Sequence, residues 1–333
     1  MLLNLTRHTL LWAALSACAA SAQAQEAHQW TRVERLGAKF VADGRGPGLS
    51  LAVSRNGAIV FARSWGRANI EPGEAVAQET LFRIASVTKT FIGALFLRLE
   101  RAGKLSLDDP ASRWLPEFPR AAEFTVRMLL NHTSGLGEYT DQPLGVLVRD
   151  GEREYKSDEL VAYMAAIVPL FVHEPGAAWA YSNTGYVLLG VIAERAGASQ
   201  LPTLIEQHLT TPAGLRETAW DENPDTTPRR AVGYGFRKNG WVRAPAVSAS
   251  YVGVSGAIRA TASDLCRGYD ALFGGALLTP EEVRTMTTPA TLADGSSIVT
   301  RRGVGYGLGV RTGMADGGRV FWHSGSTACR DAV

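Results

Sequence analysis

A serine and a lysine stand three residues apart at the start of an apolar stretch: Ser86 and Lys89 in FRIASVTKTFIGALFLRLE. Residues at this spacing lie on one face of a helix, about one turn apart. A serine hydroxyl is a poor nucleophile until a neighbour accepts its proton, and an amine this close can do so or can stabilise the alkoxide. The pair predicts covalent acyl transfer on Ser86. Because S-x-x-K arises by chance about once in a chain of this length, its meaning depends on the residues that accompany it.

A second cluster, Tyr181-Ser182-Asn183, comes just before a helical stretch. It has two interpretations. Ser182 or Asn183 could cap the helix by accepting its first N–H groups, with Tyr181 as a packed aromatic residue. Alternatively, Tyr181 supplies a phenol for proton transfer and Asn183 an amide that binds substrate.

A third cluster, His323-Ser324-Gly325-Ser326, ends a strand-like run. A lone histidine at a strand end is more often structural than catalytic. If this strand borders an active site, His323, Ser324 and Gly325 would bind a substrate carboxylate or carbonyl. The backbone N–H of Ser326 would then join that of Ser86 in an oxyanion hole.

Taken in order, these clusters resemble the S-x-x-K, Y-x-N and K-T-G motifs of the serine β-lactamase and penicillin-binding superfamily. The tyrosine form is similar to the class C β-lactamase and D,D-carboxypeptidase branch. The phrases LSLDDP, LLNHTSGL and TASDL also stand where that branch has similar ones. The resemblance extends from about Gly48 to the last residue.

The resemblance implies a two-step reaction in which Ser86 forms an acyl-enzyme that water or another acceptor then cleaves. Lys89 and Tyr181 would share the proton transfers, and the sequence leaves open which of them is the base. Asn183 would bind the substrate's side-chain amide. His323 stands where class C enzymes carry lysine, and a partly charged imidazole is a weaker, pH-dependent anchor for a carboxylate. This favours a D,D-carboxypeptidase or esterase over a true class C β-lactamase.

The substrate implied is a β-lactam, a small ester or a peptidoglycan-type peptide with D-amino acids, and no cofactor or metal is expected. His132 and Ser134 in the phrase LLNHTSGL are expected to be structural turn residues near the site. An α/β-hydrolase esterase is excluded because the chain has no G-x-S-x-G motif.

The elements that must position these residues are predicted from periodicity. Alternating stretches around Asn56-Gly57 predict a β-hairpin from Gly48 to Gly66. Residues 86–102 predict a helix with apolar residues on most sides, which indicates a buried helix. Burial would lower the pKa of Lys89 and let it act as a neutral base.

The middle third of the sequence has helical spacing, and strand patterns return from about Val252. We therefore expect an α/β (α+β) fold of the β-lactamase/transpeptidase type: an antiparallel sheet flanked by helices, with an inserted helical region. The sheet part would comprise about residues 40–85 and 250–333, and the helical part about residues 105–250.

Composition limits the function classes. Of 333 residues, 46% are hydrophobic and 20% charged, as in a globular domain, and the net charge of +2 predicts no nucleic-acid partner.

Residues 1–24 have the pattern of a secretory signal peptide, with Ala22-Gln23-Ala24 as the cleavage pattern. This predicts a periplasmic or secreted domain over 25–333. A competing pattern ends at Cys18, the residue that would carry a lipid anchor. No apolar stretch is long enough for a transmembrane span.

The chain ends eight residues after Gly325, whereas the family continues through further strands and a C-terminal helix. We therefore expect a domain that lacks these C-terminal strands and helix. Cys329 also stands about where the family tends to have glycine. The alternative to an enzyme is a catalytically inactive, penicillin-binding-like protein or a truncated fragment that acts only as a binder.

Overall fold

The computed structural model describes residues 28–141, 144–151, 153–222, 227–238, 240–300 and 302–326. The predicted signal peptide, Cys18, Cys329 and the predicted absence of C-terminal elements concern positions outside the described residues. Within them, none of the helices has the length and apolar character needed to cross a membrane.

Along the described residues, a first helix and four strands precede a run of six helices, and strands and helices mix in the remainder; a 3-10 turn lies at Ala85–Val87. In order they are α1 (28–42), β1 (Gly48–Arg55), β2 (Ala58–Asn69), β3 (Glu74–Ala75), β4 (Phe82–Arg83), α2 (Thr88–Arg101), α3 (Val126–Leu130), α4 (Leu144–Gly151), α5 (Ser157–Ala165), α6 (Asn183–Gly197), α7 (Leu201–Ile205), β5 (Ala219–Trp220), β6 (Tyr234–Arg237), β7 (Gly240–Arg243), α8 (Ala249–Val252), β8 (Ile258–Ala260), α9 (Ala262–Phe273), α10 (Pro280–Thr287), β9 (Gly305–Tyr306), β10 (Arg311–Ala315) and β11 (Gly318–Trp322).

Within the part of the chain that the structure describes, the strands pair antiparallel in four small sheets, ordered β1-β2-β3, β4-β8-β5, β6-β7 and β11-β10-β9. The first hairpin turns where the sequence predicts it. Arg55 pairs with Ala58, and the two residues between them, Asn56 and Gly57, both have positive φ, as a two-residue turn requires. The predicted α+β fold with antiparallel sheets and helices is confirmed. The region expected to be helical also carries β5, β6 and β7.

Helix α2 lies at the centre of the hydrophobic core. Eleven of its fourteen residues are buried, which agrees with the absence of a polar face in its sequence. The helix begins at Thr88 and not, as the sequence predicts, at Ser86. Ser86 belongs to the 3-10 turn Ala85–Val87, and the left-handed φ of 48° at Ala85 prevents the helix from extending further towards the N-terminus.

Candidate active site

Ser86 is held at a tight turn between β4 and α2. Ala85, the residue before it, is 3% exposed and has a positive φ, a conformation that costs a non-glycine residue about 1 kcal/mol. The surrounding core fixes this backbone. The hydroxyl is therefore presented at the start of the central helix, next to the side chain one turn further on.

Lys89 is fully buried and has three oxygen neighbours. Its Nζ lies 3.0 Å from Ser86 Oγ, 2.7 Å from Asn183 Oδ1 and 2.7 Å from the carbonyl oxygen of Ser255. Burial lowers the pKa of Lys89 to about 7, although the negative charge of Glu138 acts in the opposite direction. Close to neutral pH, the amine is therefore present in both protonation states.

Tyr181 reaches the same serine from α6's N-terminal side. Its hydroxyl donates to Ser86 Oγ at 2.9 Å, and its ring centroid lies 5.0 Å from Lys89 Nζ. Burial raises the pKa of Tyr181 to about 12. The phenol is therefore protonated at neutral pH and acts as a donor to Ser86.

The second cluster combines both interpretations of its sequence. Ser182 is the N-cap of α6, and its Oγ accepts from the N–H of Gly185 at 3.2 Å. With the capping role filled by Ser182, the side chain of Asn183 is turned towards Lys89. The structure thus brings Tyr181 and Asn183 to the Ser86 and Lys89 pair.

The third cluster lies beside the second. The ring of His323 is 6.3 Å from that of Tyr181 between centroids. Gly325 packs against the turn that carries the serine, where a Cβ atom would lie 2.3 Å from the Ile84 carbonyl oxygen and 3.1 Å from the Ser86 nitrogen. Only glycine allows this approach. It places residues 323–326 next to the Ser86 N–H; the oxyanion-hole role of Ser326 stays a prediction.

His323 belongs to a hydrogen-bonded chain in which each proton can be assigned. The N–H of Ser182 donates to His132 Nδ1 at 3.2 Å, so His132 Nε2 carries the proton and donates to Tyr306 Oη at 3.1 Å. Tyr306 in turn donates to His323 Nε2 at 2.9 Å, and His323 Nδ1 donates to the carbonyl of Ser324 at 2.6 Å.

Both ring nitrogens of His323 therefore have partners within the protein. Burial, with the nearby charge of Lys89, lowers the pKa of His323 to about 3, and burial likewise holds the pKa of His132 well below its usual range. The sequence predicts a partly charged imidazole, whereas the structure has a neutral one because the residue is only 6% exposed and lies within the influence of the Lys89 charge. Its role in binding substrate stays a prediction.

Sequence reasoning misses three contributors to this site. Ser255 supplies a backbone carbonyl, which leaves no signal in a side-chain pattern. Glu138 and Tyr306 lie in glycine-containing loops or short strands and match no catalytic motif. His132, predicted to be a structural turn residue, has that character: it is 1% exposed, has a positive φ of 65° and takes part in the hydrogen-bonded chain.

No group of three or more histidine, cysteine or acidic side chains in the described part of the chain could hold a metal ion. The arrangement is suited to nucleophilic chemistry: one hydroxyl between a titratable amine and a neutral phenol, with backbone N–H groups nearby.

Comparison with known proteins agrees with this geometry. Residues 33–330 match the beta-lactamase family. The esterase EstB of Burkholderia gladioli is 37% identical over 183 residues, which make up 51% of this chain and 46% of the esterase. Penicillin-binding protein 4* of Bacillus subtilis (strain 168) is 29% identical over 323 residues, or 91% of this chain and 67% of that protein.

Among solved structures, D-amino acid amidase from Ochrobactrum anthropi SV3, complexed with L-phenylalanine amide, is 28% identical, with a TM-score of 0.72 over 87% of this chain and 82% of the amidase. The match to the esterase EstB covers 46% of that protein, so the chain spans less than half of its length. The family match nevertheless covers most of the chain, and the resemblance found in the three motifs is confirmed. The chain belongs to the beta-lactamase family, within the serine hydrolase superfamily.

Proposed function

We propose that this protein is an exported serine hydrolase that forms an acyl-enzyme on Ser86. Its substrate carries an ester or amide carbonyl: a D-amino-acid peptide, a β-lactam or a small ester. One observation carries the proposal. Two of the three neighbours of Lys89 Nζ are oxygens that can only accept hydrogen bonds, and the third is the hydroxyl of Ser86.

This environment orients the amine. A neutral lysine has two N–H bonds and one lone pair, and the oxygens of Asn183 and Ser255 each take one N–H. The lone pair is then left facing Ser86 Oγ at 3.0 Å. With a pKa of about 7 the neutral form is well populated in the physiological range. These facts favour Lys89 as the base and Tyr181, whose pKa is raised to about 12, as a proton donor.

The reaction follows from these roles. Ser86 Oγ bonds to the carbonyl carbon while its proton passes to Lys89, and negative charge develops on the carbonyl oxygen. When the adduct collapses, the bond to the leaving atom breaks. Tyr181 gives its proton to that atom and takes the one held by Lys89. Water then attacks the acyl carbon and transfers a proton to Lys89, and Ser86 leaves with that proton.

The neutral state of His323 bears on the substrate. A substrate carboxylate would meet an uncharged imidazole whose nitrogens are both occupied, so this residue adds little to the binding of a charged group. We therefore favour esters and peptide amides over β-lactams as physiological substrates. The names of two relatives, an esterase and a D-amino acid amidase, are in keeping with this choice.

Active-site labelling tests the proposal. The purified protein is incubated with a fluorescent penicillin and with an alkyl fluorophosphonate, and the modified peptide is identified by mass spectrometry. We expect an adduct on Ser86 that Ser86→Ala abolishes. Ser112→Ala, in the 3-10 turn at Ala111–Arg113, is the matched serine control and should keep the label.

The outcomes separate the candidate functions. Fluorophosphonate labelling alone supports an esterase, and penicillin labelling with rapid turnover supports a β-lactamase. Folded protein, judged by circular dichroism, that takes no label on Ser86 overturns the enzyme proposal and leaves the inactive binder.

Export is a separate proposal that rests on the first 24 residues. Expression of the full chain in a bacterium, followed by mass determination of the exported protein, should give an N-terminus after Ala24. If the exported protein instead carries a lipid on Cys18, the lipid-anchored form is the correct one. Uncleaved protein in the cytoplasm would contradict export.

A further inference from the structure

A loop segment fastens the start of α6 beside the site. Three consecutive residues, 137–139, are hydrogen-bonded to three consecutive residues, 182–184. In the middle contact, Glu138 Oε2 accepts from the backbone N–H of Asn183 at 2.5 Å. The first N–H groups of a helix have no intrahelical partner and favour negative charge, so this carboxylate is well placed electrostatically.

The position of Glu138 is fixed from its other side as well. Its Oε1 accepts from the N–H of Thr140 at 2.9 Å and from the hydroxyl of the same residue at 2.8 Å. Both carboxylate oxygens are therefore bound within the protein. Among the ion pairs of the described residues, none joins this carboxylate to a basic side chain.

The contact partner of Glu138 is also a contact partner of the candidate base. While the N–H of Asn183 donates to Glu138, its Oδ1 accepts from Lys89 Nζ at 2.7 Å. We propose that Glu138 is a positioning residue that controls how readily Lys89 loses its proton and therefore the pH range in which Ser86 is activated. This inference rests on the proposed function.

Among the described residues, the other groups that contact Lys89 Nζ or interact with its charge are uncharged at neutral pH. They are the carbonyl of Ser255, the amide of Asn183, the rings of Tyr181 and Tyr186, and the imidazoles of His132 and His323. Arg311 on β10 contributes positive charge that acts on Tyr181, His132 and His323. Glu138 is the carboxylate whose charge acts on Lys89, and it raises the pKa of Lys89 against the effect of burial.

The direction of the effect follows. The carboxylate stabilises the ammonium form of Lys89 and so delays formation of the neutral base. Glu138→Gln removes the charge and keeps one oxygen that can accept from Asn183, but its NH2 group cannot accept the two hydrogen bonds that Thr140 donates to Oε1. The pKa of Lys89 should then fall further, and Ser86 should become reactive at lower pH.

The test measures the second-order rate of Ser86 phosphonylation by an uncharged alkyl fluorophosphonate between pH 5 and pH 9. We expect the midpoint of the rising limb to fall by about half a pH unit or more in Glu138→Gln. Glu138→Asp, which keeps the charge, should restore most of the wild-type midpoint. Asp141→Asn removes an exposed charge from the same turn and should leave the midpoint unchanged.

Each outcome has one meaning. Wild-type protein without label on Ser86 overturns the proposed function, and this inference with it. Labelled wild type with an unmoved midpoint in Glu138→Gln overturns this inference alone. Equal shifts in the Gln and Asp variants also overturn it, because they indicate loss of a helix cap and not of a charge. If the Gln variant does not fold, a wild-type midpoint in Glu138→Asp supports the inference and a shifted one contradicts it.

Discussion

Two cations stand three residues to either side of Ser86, and the fold buries both but treats their charges differently. Arg83 donates from Nε to Asp221 Oδ2 at 2.7 Å, and Arg230 donates to the same oxygen at 2.7 Å. The Asp221 side chain is 0% exposed. Lys89 is equally buried, but its direct partners are neutral oxygens.

The difference separates a charge with a structural role, that of Arg83, from the charge of Lys89, which can be gained and lost near neutral pH. At Asp221, burial favours the neutral acid, but the Arg230 hydrogen bond and the Arg83 charge outweigh it and hold the pKa of Asp221 below its usual range. The carboxylate of Asp221 therefore stays ionised beside Arg83 and Arg230. Lys89 lacks a contacting carboxylate, so burial lowers its pKa to about 7 and it can exchange protons. Lys89 can therefore titrate near neutral pH, whereas an arginine such as Arg83 stays charged in a protein whatever its surroundings.

The largest expected effect comes from removing the titratable cation. Lys89→Met fills a similar volume, and we expect Ser86 phosphonylation to fall by about 1000-fold or more because no base remains. The same change should stabilise the fold by about 2 kcal/mol at pH 6, since a buried ammonium without a contacting anion is costly. Stopped-flow labelling and urea unfolding measure the two effects.

The pH dependence gives an independent check of this prediction. The unfolded chain keeps the lysine proton up to about pH 10.5, whereas the folded chain loses it near pH 7. Because the unfolded state binds more protons between these values, stability should rise from pH 7 towards pH 10 in wild type. This component should vanish in Lys89→Met and persist in Lys39→Met, whose side chain is 69% exposed. An unchanged slope in Lys89→Met would contradict the burial argument.

The next effect concerns the fixed cluster. Asp221→Asn leaves Arg83 and Arg230 without a buried counter-charge, and we expect a loss of about 3 kcal/mol in the free energy of unfolding at pH 7. The folded pKa of Asp221 is lowered, so the stabilisation is present above about pH 4 and is lost as the pH falls through the folded value.

A matched surface pair serves as the control for Asp221→Asn. Asp108 binds Arg127 but its side chain is 68% exposed, so Asp108→Asn should cost less than about 1 kcal/mol. The pH midpoint of Ser86 labelling should not move in either variant. A shifted labelling midpoint in folded Asp221→Asn would mean that the Asp221 ion pairs influence the titration of Lys89. The structural and the titratable cation would then not be independent.

The same distinction shows how far sequence can predict such a site. The sequence identifies the hydroxyl, amine, phenol and amide because Ser86, Lys89, Tyr181 and Asn183 fall in motifs with a known spacing. It also predicts the hairpin and the central helix because their apolar patterns are regular. The pairing of Arg83 with Asp221 could not be predicted, because no local pattern joins residues this far apart in the chain.

The state of His323 was unpredictable for a related reason. Its neutrality depends on burial next to Lys89, and its Nε2 is hydrogen-bonded to a phenol 17 residues earlier in the chain. Likewise, the acceptors that orient Lys89 include a main-chain carbonyl, which every residue has. Side-chain chemistry can be recognised from sequence, whereas protonation state is a property of three-dimensional surroundings.

The smallest of these effects tests which group near Ser86 is the base. Tyr181→Phe removes one hydrogen bond to Ser86 Oγ and leaves the amine in place. We expect phosphonylation to slow by about 30-fold, corresponding to about 2 kcal/mol for a hydrogen bond to a developing charge. The rising limb should keep its midpoint near pH 7, because Lys89 still titrates there.

Comparison of the Tyr181 and Lys89 variants decides the assignment. Tyr155→Phe controls for the general loss of a phenol, because Tyr155 is partly buried and packs against the rings of Tyr163 and Tyr251. This variant should be labelled at the wild-type rate. If Tyr181→Phe is as slow as Lys89→Met, or if its rising limb disappears, the proton from Ser86 goes to a tyrosinate and not to the amine. The buried lysine would then keep its proton and assist Ser86 through its positive charge. Lys89 would in that case be a fixed charge like Arg83, and the two cations would differ only in their positions relative to the Ser86 hydroxyl.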